Sequence, residues 1–308
     1  MLAGLLAPAN LLDLIRNFVM FETIDGRRIK KLARYQQFVA VGKAIERIRT
    51  APNPQRRGGV IHHTQGSGKS LTMVFLATKL RRLPEAENPT IVIVTDRTDL
   101  DDQITGQFQR SGFANPIQAE SGDALRNVLS GGAGTTVLTT VHKFHSAVPK
   151  RSSVISKAQN VFVMVDEAHR TQYGALAARM RAGLPNACMI AFTGTPIDKK
   201  DRSTREIFGD YLHRYLIDQA VKDGATVPIY YEMRDAQLQI DGRDLERDIR
   251  ATFPELSNEE IEKLKRGMRL QEKLAGAQVR VEAIAKDILG HYRSTIEPNG
   301  FKAQIVTV

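Results

Sequence analysis

Residues His63-Thr64-Gln65-Gly66-Ser67-Gly68-Lys69-Ser70 carry the most specific chemical signal in the chain. Their spacing is that of a phosphate-binding P-loop, in which glycines let the backbone curl until its N–H groups converge on an anion. In that arrangement Lys69 reaches the β- and γ-phosphates and the Ser70 hydroxyl holds Mg²⁺. A helix starting at the loop adds the positive end of its dipole to the same site. One position departs from the pattern, because His63 stands where the motif begins on glycine. Further along, Asp166 and Glu167 follow the apolar run Val161 to Val165. Phosphoryl transfer to water needs a cradle, a metal to neutralise charge and a group to position the water. Asp166 is expected to complete the Mg²⁺ shell from a strand neighbouring the P-loop strand. Glu167 is expected to orient or deprotonate the water.

The elements that must hold these residues can be read from hydrophobic rhythm. Short β-branched runs occur at Val60-Ile61, Thr90 to Val94, Thr136 to Leu138, Val161 to Val165 and Met189 to Phe192, separated by helical or loop segments. Continuous apolar strands alternating with helices predict an α/β fold, a parallel sheet covered on both faces. The polar residues of interest follow the strand ends, where open parallel sheets bind ligands. They are Thr95 to Asp101, Thr139 to Phe144, Asp166 to His169 and Thr193 to Pro196. Thr98 and Asp101 fit an N-cap pair for the next helix. Leu11 to Phe21 and Arg34 to Ile48 have helical faces, with a turn at Asp25-Gly26 between them. Beyond Pro196 the spacing predicts a helix over 204–215, a strand over 227–232, helices over 258–274 and 279–292, and a final strand over 301–308.

Composition is that of a globular chain: 308 residues, 42% hydrophobic and 25% charged. No apolar run is long enough to span a membrane. A single cysteine, Cys188, sits in an apolar run and predicts an inert buried thiol, with a reducing, cytoplasmic setting as the default. The net charge of +10 favours a polyanionic partner. Residues 1–60 hold eleven Lys or Arg against four Asp or Glu, so the basic excess is concentrated there. The histidines show no metal-ligand spacing, and His142 and His145, three apart, read as ordinary surface or core residues.

At the level of ordered motifs the chain resembles a known family. HTQGSGKS, VTDRTDLDDQI, TTVHKF, VDEAHR and FTGTP stand in the order of helicase motifs I, Ia, Ib, II and III of superfamily 2. More narrowly, VDEAHRTQYG, FTGTPI, TREIFGDYLHRY and VPIYYE are similar to the motor subunit of type I restriction enzymes. Arg34-Tyr35-Gln36-Gln37 resembles that family's Q-tip element. The resemblance implies a RecA-like motor domain that uses ATP and Mg²⁺ to translocate double-stranded DNA, beside modification and specificity subunits. It implies a nucleotide site of Arg34, Gln36 and residues Thr64, Gln65, Gly66, Ser67, Gly68, Lys69 and Ser70. Gln36 would read the adenine edge through its amide, which offers both a donor and an acceptor. Catalysis would fall to Lys69, Asp166, Glu167 and His169, with Mg²⁺ on Ser70 and Asp166. His169 and Thr193, Gly194 and Thr195 would couple nucleotide state to DNA, and Arg97, Thr139, His142 and Lys143 would touch its phosphates, which set position rather than sequence.

The resemblance further implies boundaries: a linker or helix over 1–33, motor domain 1 over 34–222, a linker with strand and helices over 223–300, and the first strand of a second RecA-like domain over 301–308. The family's arginine finger and nuclease residues have no counterpart in these 308 residues, where no E-x-K triplet occurs. Slow ATP turnover and no DNA cleavage by this chain alone are the corresponding expectations. Two other readings compete: a superfamily 2 repair helicase, and an assembly module in which the charged 258–274 helix and the basic N-terminal segment dock partner subunits.

Overall fold

The computed structural model describes residues 2–24, 26–95, 98–110, 116–131, 134–148, 154–166, 173–196, 198–199, 202–228, 250, 253–265 and 278–306. These fall into two compact units, Met1–Pro228 and Ile229–Val308.

The first unit is built on a seven-stranded sheet. In chain order its strands are β3 (Gly59–His63), β4 (Thr90–Thr95), β5 (Ile117–Gln118), β6 (Thr136–Thr140), β7 (Val161–Asp166), β8 (Cys188–Thr193) and β11 (Tyr211–Tyr215). In space they run β11-β3-β8-β7-β4-β6-β5, every pairing parallel. The helices between them are α4 (Lys69–Arg81), α5 (Thr98–Arg110), α6 (Gly122–Ser130), α7 (Val141–Ala147), α8 (Tyr173–Gly183) and α9 (Thr204–Phe208). This is the RecA-like arrangement that the motif order implied.

Period-two alternation in β4 shows why the strand runs are apolar throughout. Ile91 and Ile93 enter one core with Phe75, Leu76, Ile104 and Phe108, residues of α4 and α5. Val92 and Val94 enter the opposite core with Leu125, Leu129, Phe144 and Met180, from α6 to α8. Each such fully buried side chain contributes roughly 1.5–3 kcal/mol. A helix cap, such as Ser121 Oγ accepting from Ala124 N at 3.1 Å, contributes about 1 kcal/mol. Two-sided burial, rather than capping, therefore fixes the architecture. Cys188 lies in the first core, fully buried, and burial pushes its thiol up to about 12.

Three sequence expectations are corrected here. The helical face over 11–21 ends early: α1 (Leu2–Leu5) and α2 (Pro8–Asn17) precede a hairpin of β1 (Val19–Ile24) and β2 (Arg27–Leu32). Gly26 turns it at φ +75°, and the alternation Val19, Phe21, Thr23 suits a strand better than a helix. The hairpin and α2 pack against the helices of the sheet, with Phe18 4.8 Å from the Phe38 ring and 5.6 Å from Phe75. Glu22, 2% exposed, is held by Lys31 and by Arg110 of α5. The second correction concerns 204–215, where α9 stops at Phe208 and Gly209, at φ +104°, turns the chain into strand β11. Two short strands, β9 (Asp198–Lys199) and β10 (Arg202–Ser203), pair with each other just before α9. The unit ends with α10 (Ile217–Lys222).

In the second unit the described helices are Asn258–Lys265 and Gln278–His291, the latter continuing into a π-helical turn over Tyr292–Ile296. Residues 301–306 form no strand, the third correction, and their Phe301, Ile305 and Val306 side chains are exposed. The strand expected over 227–232 lies mostly outside the described residues, and its first two positions are not extended into a ladder.

Candidate active site

The P-loop leaves the C-terminal end of β3 and becomes α4. Thr64 N donates to the Tyr215 carbonyl at 2.9 Å, and Ser67 N donates to the Thr64 carbonyl at 3.3 Å. Gly66 and Gly68 have φ +81° and +86°, left-handed values that favour glycine. At Gly68 a Cβ would also sit 2.7 Å from Gln37 Nε2 and displace that amide. Lys69 and Ser70 are the first residues of a thirteen-residue helix, so the loop faces its positive end. Ser67 is 1% exposed, and its hydroxyl has no hydrogen-bond partner among the described residues.

His63, the missing first glycine, points away from the loop into the sheet edge. Its Nε2 shares a hydrogen bond with His213 Nδ1 at 2.8 Å, and its ring meets Tyr215 edge-on at 5.8 Å. The histidine therefore replaces loop flexibility with an anchor to β11. Burial, then the charges of His213, Lys69 and His62, push its pKa down from 6.5 to about 3; His213 is pushed to about 4 by burial and Lys43. Both folded values lie below the unfolded value, so the unfolded chain binds protons that the fold refuses. Stability then falls as pH drops from 6.5 toward 3, by about 1.4 kcal/mol per pH unit for His63. Urea unfolding at pH 7.5 and 5 should show a His63 contribution of about 2 kcal/mol lost at the lower pH. A His63→Gln variant should lack most of that difference; an unchanged pH slope would remove the assignment.

Across the sheet the candidates converge on one edge. His62 pairs with Thr193 of β8, and Asp166 of β7 pairs with Phe192. Strand β8 thus lies between the P-loop strand and β7, so Asp166 stands on the next strand but one and not on the neighbour expected. The turn after β8 fills the gap. A Cβ on Gly194 would sit 3.5 Å from Lys69 Nζ and 3.3 Å from Gln65 N, so glycine lets the turn lie against the loop. The Gly194 carbonyl and His62 Nε2 are 3.2 Å apart in a hydrogen bond, and Thr195 N donates to Thr193 Oγ1 at 3.2 Å. Asp166 is 6% exposed at the strand terminus.

On the other flank stands α3 (Tyr35–Thr50). Gln37, which sequence reasoning passed over, joins it to the loop. Its Oε1 accepts from Arg34 N at 2.8 Å and its Nε2 donates to the Gly68 carbonyl at 3.0 Å. Gln36 is 1% exposed, and its Nε2 has no hydrogen-bond partner among the described residues. An orphaned donor of that kind costs free energy until an acceptor reaches it. Gln36 also lines a mainly apolar cleft of about 570 Å³, together with Arg34, Tyr35, Tyr215 and Asp223. Only the tandem glutamines signalled this division of labour, and the sequence offered no means to say which amide faced the loop.

Of the residues expected at DNA, His142 is exposed and Lys143 half-buried at the start of α7, whose cap is Thr140 Oγ1 accepting from Lys143 N at 3.4 Å. Thr139 is 0% exposed within β6, and its Oγ1 has no hydrogen-bond partner among the described residues, so its side chain lies inside the strand rather than at the surface. Arg97, Glu167 and His169 lie outside the described residues.

A family model described as SWI2/SNF2 ATPase matches residues 36–286. The chain is 40% identical over 327 residues to the type I restriction enzyme HindI endonuclease subunit of Haemophilus influenzae, covering 99% of this chain and 30% of that protein. It is 34% identical to the putative type I restriction enzyme MjaIXP endonuclease subunit of Methanocaldococcus jannaschii, covering 100% of this chain and 30% of that one. The chain therefore spans under a third of the length of these relatives. Among solved structures it is distantly similar, at 15% identity and a TM-score of 0.48, to a nuclease-deletion mutant of the Type ISP restriction-modification enzyme LlaGI in complex with a DNA substrate mimic, covering 90% of this chain and 34% of that chain.

Proposed function

Because this chain belongs to the SWI2/SNF2 ATPase family, we propose that it is the ATP-hydrolysing, double-stranded-DNA-translocating part of a type I restriction endonuclease subunit. The observation that carries the reading is the convergence at one sheet edge: Lys69 on the P-loop, Gly194 against it, and Asp166 one strand beyond. ATP fits the residues present. Positive-φ glycines open the loop for phosphates, and two orphaned buried polar atoms, Gln36 Nε2 and Ser67 Oγ, await partners.

In this reading Gln36 receives the adenine edge, with Arg34 beside it. The loop amides of residues 64–70 and Lys69 hold the phosphates, and Ser70 and Asp166 hold Mg²⁺. Held there, Mg²⁺ would supply neutralisation of phosphate charge. Glu167 orients the attacking water, His169 and the Thr193–Thr195 turn relay the state of the site, and Arg97, His142 and Lys143 hold DNA by its phosphates. The relatives are endonuclease subunits, so the assembled enzyme would include modification and specificity subunits in the cytoplasm, with sequence recognition left to the latter.

Equilibrium binding of a fluorescent ATP analogue and of short duplexes of unrelated sequence tests the reading. Expected are Mg²⁺-dependent nucleotide binding and sequence-independent duplex binding whose affinity falls steeply with salt. No nucleotide binding, or affinity confined to one sequence, would overturn it.

A further inference from the structure

Tyr35, 188 residues from Asp223 in the chain, meets Tyr215 at the carboxylate of Asp223. Asp223 Oδ2 accepts from the Tyr35 hydroxyl and from the Tyr215 hydroxyl, the latter at 2.9 Å. Its Oδ1 accepts from Gln219 Nε2 at 2.8 Å, and the two tyrosine rings stand edge-on, 6.1 Å apart. Asp223 is fixed in turn by the end of α10: its own N–H donates to the Gln219 carbonyl at 3.0 Å, and Gly224 reverses the chain at φ +66°.

Each partner leads into the nucleotide site. Tyr35 is the first residue of α3, immediately before Gln36. The first turn of a helix lacks backbone partners for its N–H groups, so its position depends on what side chains hold it. Here Gln37 ties the turn to the P-loop and Tyr35 ties it to Asp223. Tyr215 gives its carbonyl to Thr64 N, the entry to the P-loop, while its hydroxyl reaches the same carboxylate. All of Tyr35, Gln36, Tyr215 and Asp223 line the 570 Å³ cleft.

We propose that Asp223 is a positioning residue for base recognition, clamping Tyr35 and Tyr215 so that Gln36 is held at a fixed height over the P-loop. The proposal rests on the reading of Gln36 as the base-binding residue. Asp223 is exposed, so the clamp acts through geometry: two hydrogen bonds to one carboxylate join the first turn of α3 to β11. The clamp acts on the base end of the ligand; the phosphate end belongs to the loop itself. Losing it should therefore cost selectivity between bases more than grip on phosphates.

The test compares Mg²⁺ complexes of ATP, GTP and inorganic tripolyphosphate on the wild-type chain and on Asp223→Ala, Asp223→Asn, Tyr35→Phe and Lys69→Ala. Asp223→Ala should bind ATP about tenfold more weakly and lose a similar factor of ATP-over-GTP preference, as expected for one lost positioning contact. Tripolyphosphate affinity should move by less than about twofold. Tyr35→Phe should reproduce part of that pattern without touching the carboxylate, and Asp223→Asn, which keeps an acceptor oxygen, should restore much of it. Should Asp223→Ala fail to fold, Tyr35→Phe carries the comparison. Equal losses for ATP and tripolyphosphate, or unchanged ATP affinity and preference, would overturn the clamp. In that case a loss of all three ligands in Lys69→Ala leaves the nucleotide site standing. No binding of ATP by the folded wild-type chain removes both readings.

Discussion

Lys69→Ala is expected to lower ATP turnover about 100- to 1,000-fold and to weaken ATP–Mg²⁺ binding, with little change in unfolding free energy. The lysine is the first residue of α4, half-buried beside the Gly194 turn. In the proposed site its ammonium meets the phosphates, and removing one preorganised donor from a transferring group typically costs two to three orders of magnitude in rate. Alanine suits a helix start, so the fold should tolerate the change. Lys69→Arg is the informative companion. It keeps the charge, yet the guanidinium is wider than the ammonium and must fit where Gly194 already allows close approach. Phosphate release and calorimetric titration would measure both variants. Wild-type affinity and rate in Lys69→Ala would mean that residues 63–70 form an ordinary loop.

The sheet was legible because its strands are buried on both faces, which turns an alternating pattern into short continuous runs. Val161 to Val165 is such a run, and it fills both cores by turns. The P-loop was legible because backbone curvature demands glycine at Gly66 and Gly68 and charge demands Lys69. Strand β11 was not legible. Its Tyr211–Tyr215 segment follows α9 with only Gly209 and Asp210 between them, and apolar spacing over so short a stretch fits either period. The hairpin failed for a related reason: Phe18 and Val19 fit the helical face of α2, although Val19 is already the first residue of β1.

Within the site, legibility stopped at residues whose roles depend on partners distant in sequence. Asp223 is 188 residues from Tyr35, and nothing local marks it. His63 looked like a defect because the motif is written for a flexible loop start. Its reason lies in His213, 150 residues away on a strand that sequence reasoning had taken for a helix. Thr139 followed a strand pattern correctly, but no local signal told that its side chain is buried within β6. Motifs report what the ligand requires; packing partners report how this chain meets the requirement.

Asp166→Asn should separate metal from phosphate. The aspartate ends β7, 6% exposed, in register with Phe192, and asparagine has nearly the same shape, so the fold should be kept. What changes is the charge available to a divalent cation, since hard cations prefer carboxylate oxygens. Turnover should fall about 100-fold or more, on the scale of losing one electrostatic contributor to phosphoryl transfer. The Mg²⁺ concentration for half-maximal binding should rise, while Mg²⁺-free nucleotide binding stays near wild type. Lys69→Ala predicts the reverse, a loss of nucleotide with or without metal. Residues acting as a unit are not additive, so the double variant should be hardly slower than the worse single one. Multiplied losses in the double variant would mean that Asp166 and Lys69 act on separate steps, and an unchanged Mg²⁺ dependence in Asp166→Asn would take the metal away from β7.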